Sequence, residues 1–159
     1  MNEMPKYTLL EVERRWLVDL SAIDLAPLPY REIEDLYISD SRLRLRRVAG
    51  PREVVFKLGK KYGKRTPLAE PITNIYLTES EYSQFADLPG HRVRKRRYSL
   101  SGGSLDIYLE PQHELAIFEA EFSDERSARG FVPPSFATRE ITNDAAFSGA
   151  TIAAHIPRA

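Results

Sequence analysis

The sequence predicts a mainly β, α+β fold: about eight mainly antiparallel strands closed into a barrel with a charged lumen and helices packed outside it. Three observations predict it. About eight segments alternate apolar and charged residues with period two, as strands with two unlike faces do. Their charged rows are sorted by sign, acidic on some strands and basic on others, whereas a solvated face mixes signs. Their other faces carry bulky Leu, Val, Trp, Phe and Ile, enough to be covered by helices from outside. A closed barrel with the charges inside satisfies all three.

The first strand is Leu9–Val18, where Leu10, Val12 and Trp16 face one way and Glu11, Glu13 and Arg15 the other. A short strand follows near Ile33–Ile38. In SRLRLRRV (41–48), Arg42, Arg44 and Arg46 alternate with Leu43 and Leu45, and EVVFKLG (53–59) carries Lys57 in an otherwise apolar run. Residues 65–77 are extended by Pro67 and Pro71, which also predict an edge or a bulge. HRVRKRRYSL (91–100) is intensely basic and turns at Gly102-Gly103 into SLDIYLE (104–110). ELAIFEAEF (114–122) sets Glu119 and Glu121 opposite Phe118, Ala120 and Phe122.

Helical signals are fewer. Thr78 with Glu81 forms a capping box that opens a helix to about Leu88, stopped by Pro89-Gly90. Ser123 or Asp124 caps a second helix that Gly130 ends, and Asn143 or Asp144 caps a last one across 144–156. Trp16, Tyr76, Tyr82 and Phe85 read as core or helix-packing residues. No linker, repeat or low-complexity tract divides the chain, so 1–159 reads as one domain.

Composition narrows the function. Lysine plus arginine number 23 and aspartate plus glutamate 23, so the net charge is zero and the basic excess of a nucleic-acid binder is missing. There is no cysteine for a disulfide or thiolate zinc site. His91, His113 and His155 show no ligand spacing and read as surface or packing residues. No apolar run approaches the roughly 20 residues of a membrane span, and MNEMPKYTLL lacks the pattern of a secretory signal. A cytoplasmic protein with neither membrane nor nucleic-acid partner is expected.

Like charges lie roughly 6–7 Å apart along a strand and repel unless a counter-ion sits between them. Inward carboxylates Glu11, Glu13, Asp106, Glu119 and Glu121 suit Mg2+ or Mn2+, which prefer oxygen donors. Inward arginines and lysines need an anion of comparable charge, and a polyphosphate is the natural one.

LEVERRWLV (10–18) resembles the ExExK signature, usually written EIERKFLV, of the CYTH domain or triphosphate tunnel metalloenzyme family. LRLRRV is similar to the family's paired-arginine strand, VVFKLG to its lysine strand and RKRRYSL to its lysine-x-arginine-tyrosine segment. LDIYL, FEAEF and the tail FVPPSFATREITNDAAFSGATIAAHIP continue the likeness to small bacterial, inorganic triphosphatase-like members. The resemblance implies an eight-stranded antiparallel β-barrel forming a tunnel that binds a small-molecule triphosphate through Mg2+ or Mn2+ and hydrolyses it. Adenylate cyclisation, or polyphosphate or nucleotide binding without turnover, are the alternatives it leaves, with the chain a monomer or homodimer.

By position, the resemblance makes Glu11, Glu13, Glu119, Glu121 and Asp106 metal ligands, and Arg44, Arg46, Lys57, Lys95 and Arg97 phosphate-binding cations. Arg42 is an extra arginine of the same parity, and Glu70 a possible additional carboxylate where relatives often have two, Ile72 replacing the second. Asp106 and Glu119 also stand as catalytic candidates. Arg15 joins them at the position of the family's lysine; always protonated, it cannot act as a base. Phe147 and Gly149 replace a frequent tyrosine and asparagine. The last helix is expected to plug one mouth of the tunnel and favour short linear substrates.

Overall fold

Antiparallel pairing carries the chain around a closed barrel. In the computed structural model, which describes residues 3–111 and 114–155, the strands are β1 (Leu9–Val18), β2 (Arg31–Ile38), β3 (Leu43–Ala49), β4 (Val54–Lys61), β5 (Ala69–Leu77), β6 (Gly90–Leu100), β7 (Gly103–Glu110) and β8 (Ala116–Phe122). They follow the order β5-β4-β3-β2-β6-β7-β8-β1, and β1 closes the ring on β5. Closure removes the unpaired edges of an open sheet. A further strand, β9 (Ala137–Glu140), shares the β5 side of β1: Leu9–Val12 pair with β5, Trp16 and Val18 with β9. The sequence gives no warning of β9, because ATRE is four residues with little apolar content.

Register decides which side chains share a face. Glu13 lies opposite Glu121 and Arg15 opposite Glu119, Arg46 sits between Asp35 and Lys57, and Arg97 faces Asp106. This is the lumen. The alternate residues pair as Trp16 with Phe118, Leu36 with Leu45 and Tyr98 with Leu105, and these point outward.

Among the described residues there are three α-helices: α1 (Glu79–Phe85) and α2 (Glu125–Gly130) cover the wall, and α3 (Gly149–Ala154) lies at one end. Tyr82 of α1 stacks on Phe56 with ring centroids 4.7 Å apart, and Ala128 of α2 packs on Val12 and Ala69. Phe136 and Phe131 cover Trp16 and Phe118, while Leu20, Ile23, Leu25 and Leu28 cover Tyr98 and Leu105. The apolar core therefore lies outside the barrel wall, which frees the lumen for charge. At one end that changes: Ile152 and Ala153 of α3 join Val93, Tyr108 and Ile117 in one buried cluster. Those strand residues have lumen parity, so α3 seats on that mouth.

Several boundaries move. β4 runs past the expected end at Gly59 to Lys61, and β5 starts at Ala69 because 65–68 form a turn. Pro71 marks neither a bulge nor a free sheet edge; β5 passes from β1 to β4 at Ile72, and Pro71 lies buried just before the exchange. The β6–β7 turn is Ser101-Gly102, both with positive φ (51° and 75°), one residue earlier than expected. Gly103 instead opens β7, where a Cβ would lie 2.5 Å from the Glu119 carbonyl oxygen. The Thr78–Glu81 capping box forms, but its helix ends at Phe85. Asp124 rather than Ser123 caps α2. The last helix is broken: Asp144 caps a 3-10 turn over Ala145–Phe147, and Ser148 caps α3 anew. His91 and His155 are exposed, and His113 lies outside the described residues.

Candidate functional site

The acidic side of the lumen is built by β1 and β8. Glu11 and Glu13 are two residues apart on β1, and Glu121 stands across from Glu13 on β8. Carboxylate oxygens of Glu11, Glu13 and Glu121 all lie within 4.8 Å of one another. Burial, with Glu119 and Glu11 nearby, pushes the Glu13 carboxyl up to about 7 even against Lys61 and Arg15. Burial, then Glu11 and Glu119, also raise Glu121. Carboxyls that resist ionisation side by side are a donor set short of positive charge. The donors therefore fit a hard divalent cation, which takes carboxylate oxygens.

Glu70 lies beside this group, opposite Glu11 in register, and accepts a hydrogen bond from the Gly63 N–H (2.9 Å). Lys61 Nζ reaches into the group, 3.0 Å from Glu11, 3.8 Å from Glu13 and 3.9 Å from Glu70. Glu119 and Glu121 also help line a cavity of about 530 Å3 at the β6–β7 turn.

A second set of carboxylates is already satisfied. Arg46 donates twice to Asp35, at 2.6 and 2.7 Å, with both side chains buried. Burial alone would raise the Asp35 pKa, but Arg46 holds it well below the usual carboxylate range. Arg97 donates to both oxygens of Asp106 at 2.7 Å, and Lys95 Nζ lies 2.7 Å from one of them. These cations likewise overcome burial and keep Asp106 ionised. Arg97 also donates to Glu119 (2.6 Å), whose pKa falls despite burial.

The basic side is left partly unmatched. Neither Arg44 nor Lys57 forms an ion pair among the described residues, and the Arg44 Nε is buried with no hydrogen-bond partner there. Burial, then Arg46, Arg44 and Arg97, push the Lys57 ammonium down to about 8. A buried donor without an acceptor costs about 1–3 kcal/mol. An anion entering the lumen would supply that acceptor and relieve the crowding of cations.

The expected residues thus converge, with different duties. Glu11, Glu13 and Glu121 form the open acidic cluster, joined at its rim by Glu70. Asp106 and Glu119 share the lumen but are occupied by Lys95, Arg97 and Arg15, the last 3.7 Å from Glu119. Arg15 also donates to the Phe147 carbonyl (2.8 Å), tying the lumen to the segment before α3. Arg42 is exposed just ahead of β3, at the rim. Asp35 and Lys61 went unnoticed in sequence. Asp35 hides between Glu34 and Leu36 on a strand whose two exposed-side glutamates set the apparent rhythm, and Lys61 lies beyond the glycine taken as a strand end.

No family model matches the chain. An inorganic triphosphatase from Nitrosomonas europaea is 36% identical over 73 residues. That match spans 43% of this chain and 48% of the relative, about half of each. The crystal structure of an inorganic triphosphatase superposes with a TM-score of 0.61 at 24% identity, covering 93% of this chain and 97% of that one. A putative adenylate cyclase from Bacillus halodurans superposes with a TM-score of 0.52 at 17% identity, covering 77% and 86%. These structures share the barrel fold. No helix among the described residues is long and apolar enough to cross a membrane.

Proposed function

We propose that the chain is a member of the CYTH or triphosphate tunnel metalloenzyme family, a cytoplasmic Mg2+- or Mn2+-dependent hydrolase of a small-molecule triphosphate. The observation that carries this is the division of one enclosed lumen. Three mutually close carboxylates on β1 and β8 face unmatched Arg44 and Lys57 on β3 and β4. A metal–polyphosphate complex has that polarity, cation at one end and anion along the rest. The partial match to an inorganic triphosphatase supports the same reading.

Glu11, Glu13 and Glu121 would hold the divalent ion. When bound, it would draw charge from the phosphate oxygens and so ease cleavage of the phosphoanhydride bond. Arg44 and Lys57 would bind the phosphate chain, and Arg46 and Arg97, each fixed by a carboxylate, would add positive field at the phosphoryl group. Charge stabilisation and positioning dominate such transfers, so cations held in advance contribute most of what the protein supplies. Asp106 and Glu119 would act through the cations they hold, since direct metal ligation would require those ion pairs to open. Arg15 stays protonated and would act by fixing Glu119 and the closed end. With α3 on one mouth, a substrate enters from the other, which favours a short phosphate chain.

The test is phosphate release from triphosphate, ATP, GTP and thiamine triphosphate with Mg2+ or Mn2+. Glu13→Ala and Glu121→Ala should each abolish it; undiminished release by either rejects the reading. Tight triphosphate binding with no release by the native chain would instead mark a binding module.

A further inference from the structure

Lys61 is the cationic side chain that intrudes on the acidic cluster. It sits at the end of β4, opposite Ile72 of β5, and its Nζ is 3.0 Å from Glu11 and 3.8 Å from Glu13. Glu11 and Glu13 are two of the three carboxylates placed to hold a divalent ion. The third contact of the ammonium, Glu70 at 3.9 Å, is not one of those three. Lys61 is also the most exposed member of its ion pairs: 43% of its side chain is accessible, against 16–17% for each glutamate. The carboxylates are fixed in the wall while the ammonium stands on a flexible stem with room to leave.

We propose that Lys61 is a tethered counter-cation of the cluster, offsetting part of its charge in the metal-free protein and competing with the divalent ion for Glu11 and Glu13. This rests on the metal-binding reading given above. Two effects of opposite sign follow. Without metal, the ammonium offsets repulsion among Glu11, Glu13, Glu70 and Glu121, so the barrel folds without needing an ion. With metal, a charge of like sign must be displaced, so the site binds the ion more weakly than its carboxylates alone would. A bystander at the rim would produce neither effect, and a purely structural residue only the first.

The experiment compares the intact chain with Lys61→Met and Lys61→Arg. Thermal unfolding is measured without metal, and Mn2+ affinity is measured by the paramagnetic resonance of free Mn2+. Lys61→Met should lower the metal-free melting temperature yet tighten Mn2+ binding by at least about tenfold, given the strength of charge–charge interaction at this range. Lys61→Arg should restore both toward the native values. Unchanged Mn2+ affinity in Lys61→Met, or weakened affinity, overturns the proposal, as does an unchanged metal-free melting temperature. If the native chain itself binds no Mn2+ at millimolar concentration, the metal reading fails first, and the two failures are told apart.

Discussion

Two groups of carboxylates line the same lumen, one buried and one partly open to solvent, and they differ in almost every physical respect. Asp35 and Asp106 each meet a guanidinium through two short hydrogen bonds, and both stay ionised well below the ordinary range. Glu13 and Glu121, facing each other across β1 and β8, have raised pKa values because burial and like neighbours outweigh the cations near them. The first group carries its counter-charge within the fold. The second is matched only in part, by Lys61 and Arg15, and is the group that the proposed metal would complete. Burial of charge is thus not by itself a sign of function; incomplete compensation is.

The comparison breaks most visibly if stability and activity do not divide along it. Asp35→Ala leaves the buried Arg46 guanidinium without its partner. Removing one member of a buried pair costs about 3–5 kcal/mol, and chemical denaturation should show a loss of that order, with or without metal. Glu13→Ala removes one repelling carboxylate, so metal-free stability should hold or rise. Triphosphate hydrolysis should fall at least about a hundredfold, equivalent to ~2.7 kcal/mol of transition-state stabilisation. Equal destabilisation by the two substitutions would erase the distinction between the groups.

The open group was largely legible in the sequence and the closed group was not. Glu11 and Glu13, or Glu119 and Glu121, announce themselves because strict alternation leaves a row of one sign on an otherwise apolar strand. Arg44 and Arg46 do the same. The pairing that silences half of these charges depends on the register across the strands, which brings Arg97 onto Asp106 over the β6–β7 hairpin and onto Glu119 of β8, and the alternation within one strand does not report it. Asp106 was therefore expected among the metal-facing carboxylates, and its two guanidinium bonds are the reason it stands apart. The closed mouth was partly visible as a C-terminal helix, but the Ser148 break and the short β9 depend on tertiary contacts. Gly149 shows why: a Cβ there would collide with the Tyr37 hydroxyl, which no helix propensity foretells.

That contact sharpens a related comparison, between the charged mouth and the plugged one. Gly149→Ala should push the start of α3 away from Tyr37, loosening the cluster of Ile152, Val93 and Tyr108. Overpacking of this kind costs about 1–3 kcal/mol, measurable as a lower unfolding midpoint. Mn2+ affinity, set at the other side of the lumen, should be unchanged. A matching loss of metal affinity would mean the two ends are not independent.

The smallest effect is a slope with pH, spread over a broad window because Glu13 interacts with Glu11 and Glu119. In the metal-free fold the Glu13 carboxyl is raised from 4.5 to about 7, so the folded chain holds a proton that the unfolded chain releases. Its contribution to stability therefore declines as pH rises from about 4.5 through about 7, the reverse of Asp35 and Asp106, whose depressed pKa values contribute stability that is lost only on strong acidification. Binding a divalent ion requires the ionised carboxylate, so the stabilisation conferred by Mn2+ should grow over the same window as the metal-free stability falls. Glu13→Gln removes the titrating group. Subtracting its pH profile from the native one should isolate a falling slope without metal, and superimposable profiles would show that Glu13 is ionised throughout and that the cluster is compensated after all.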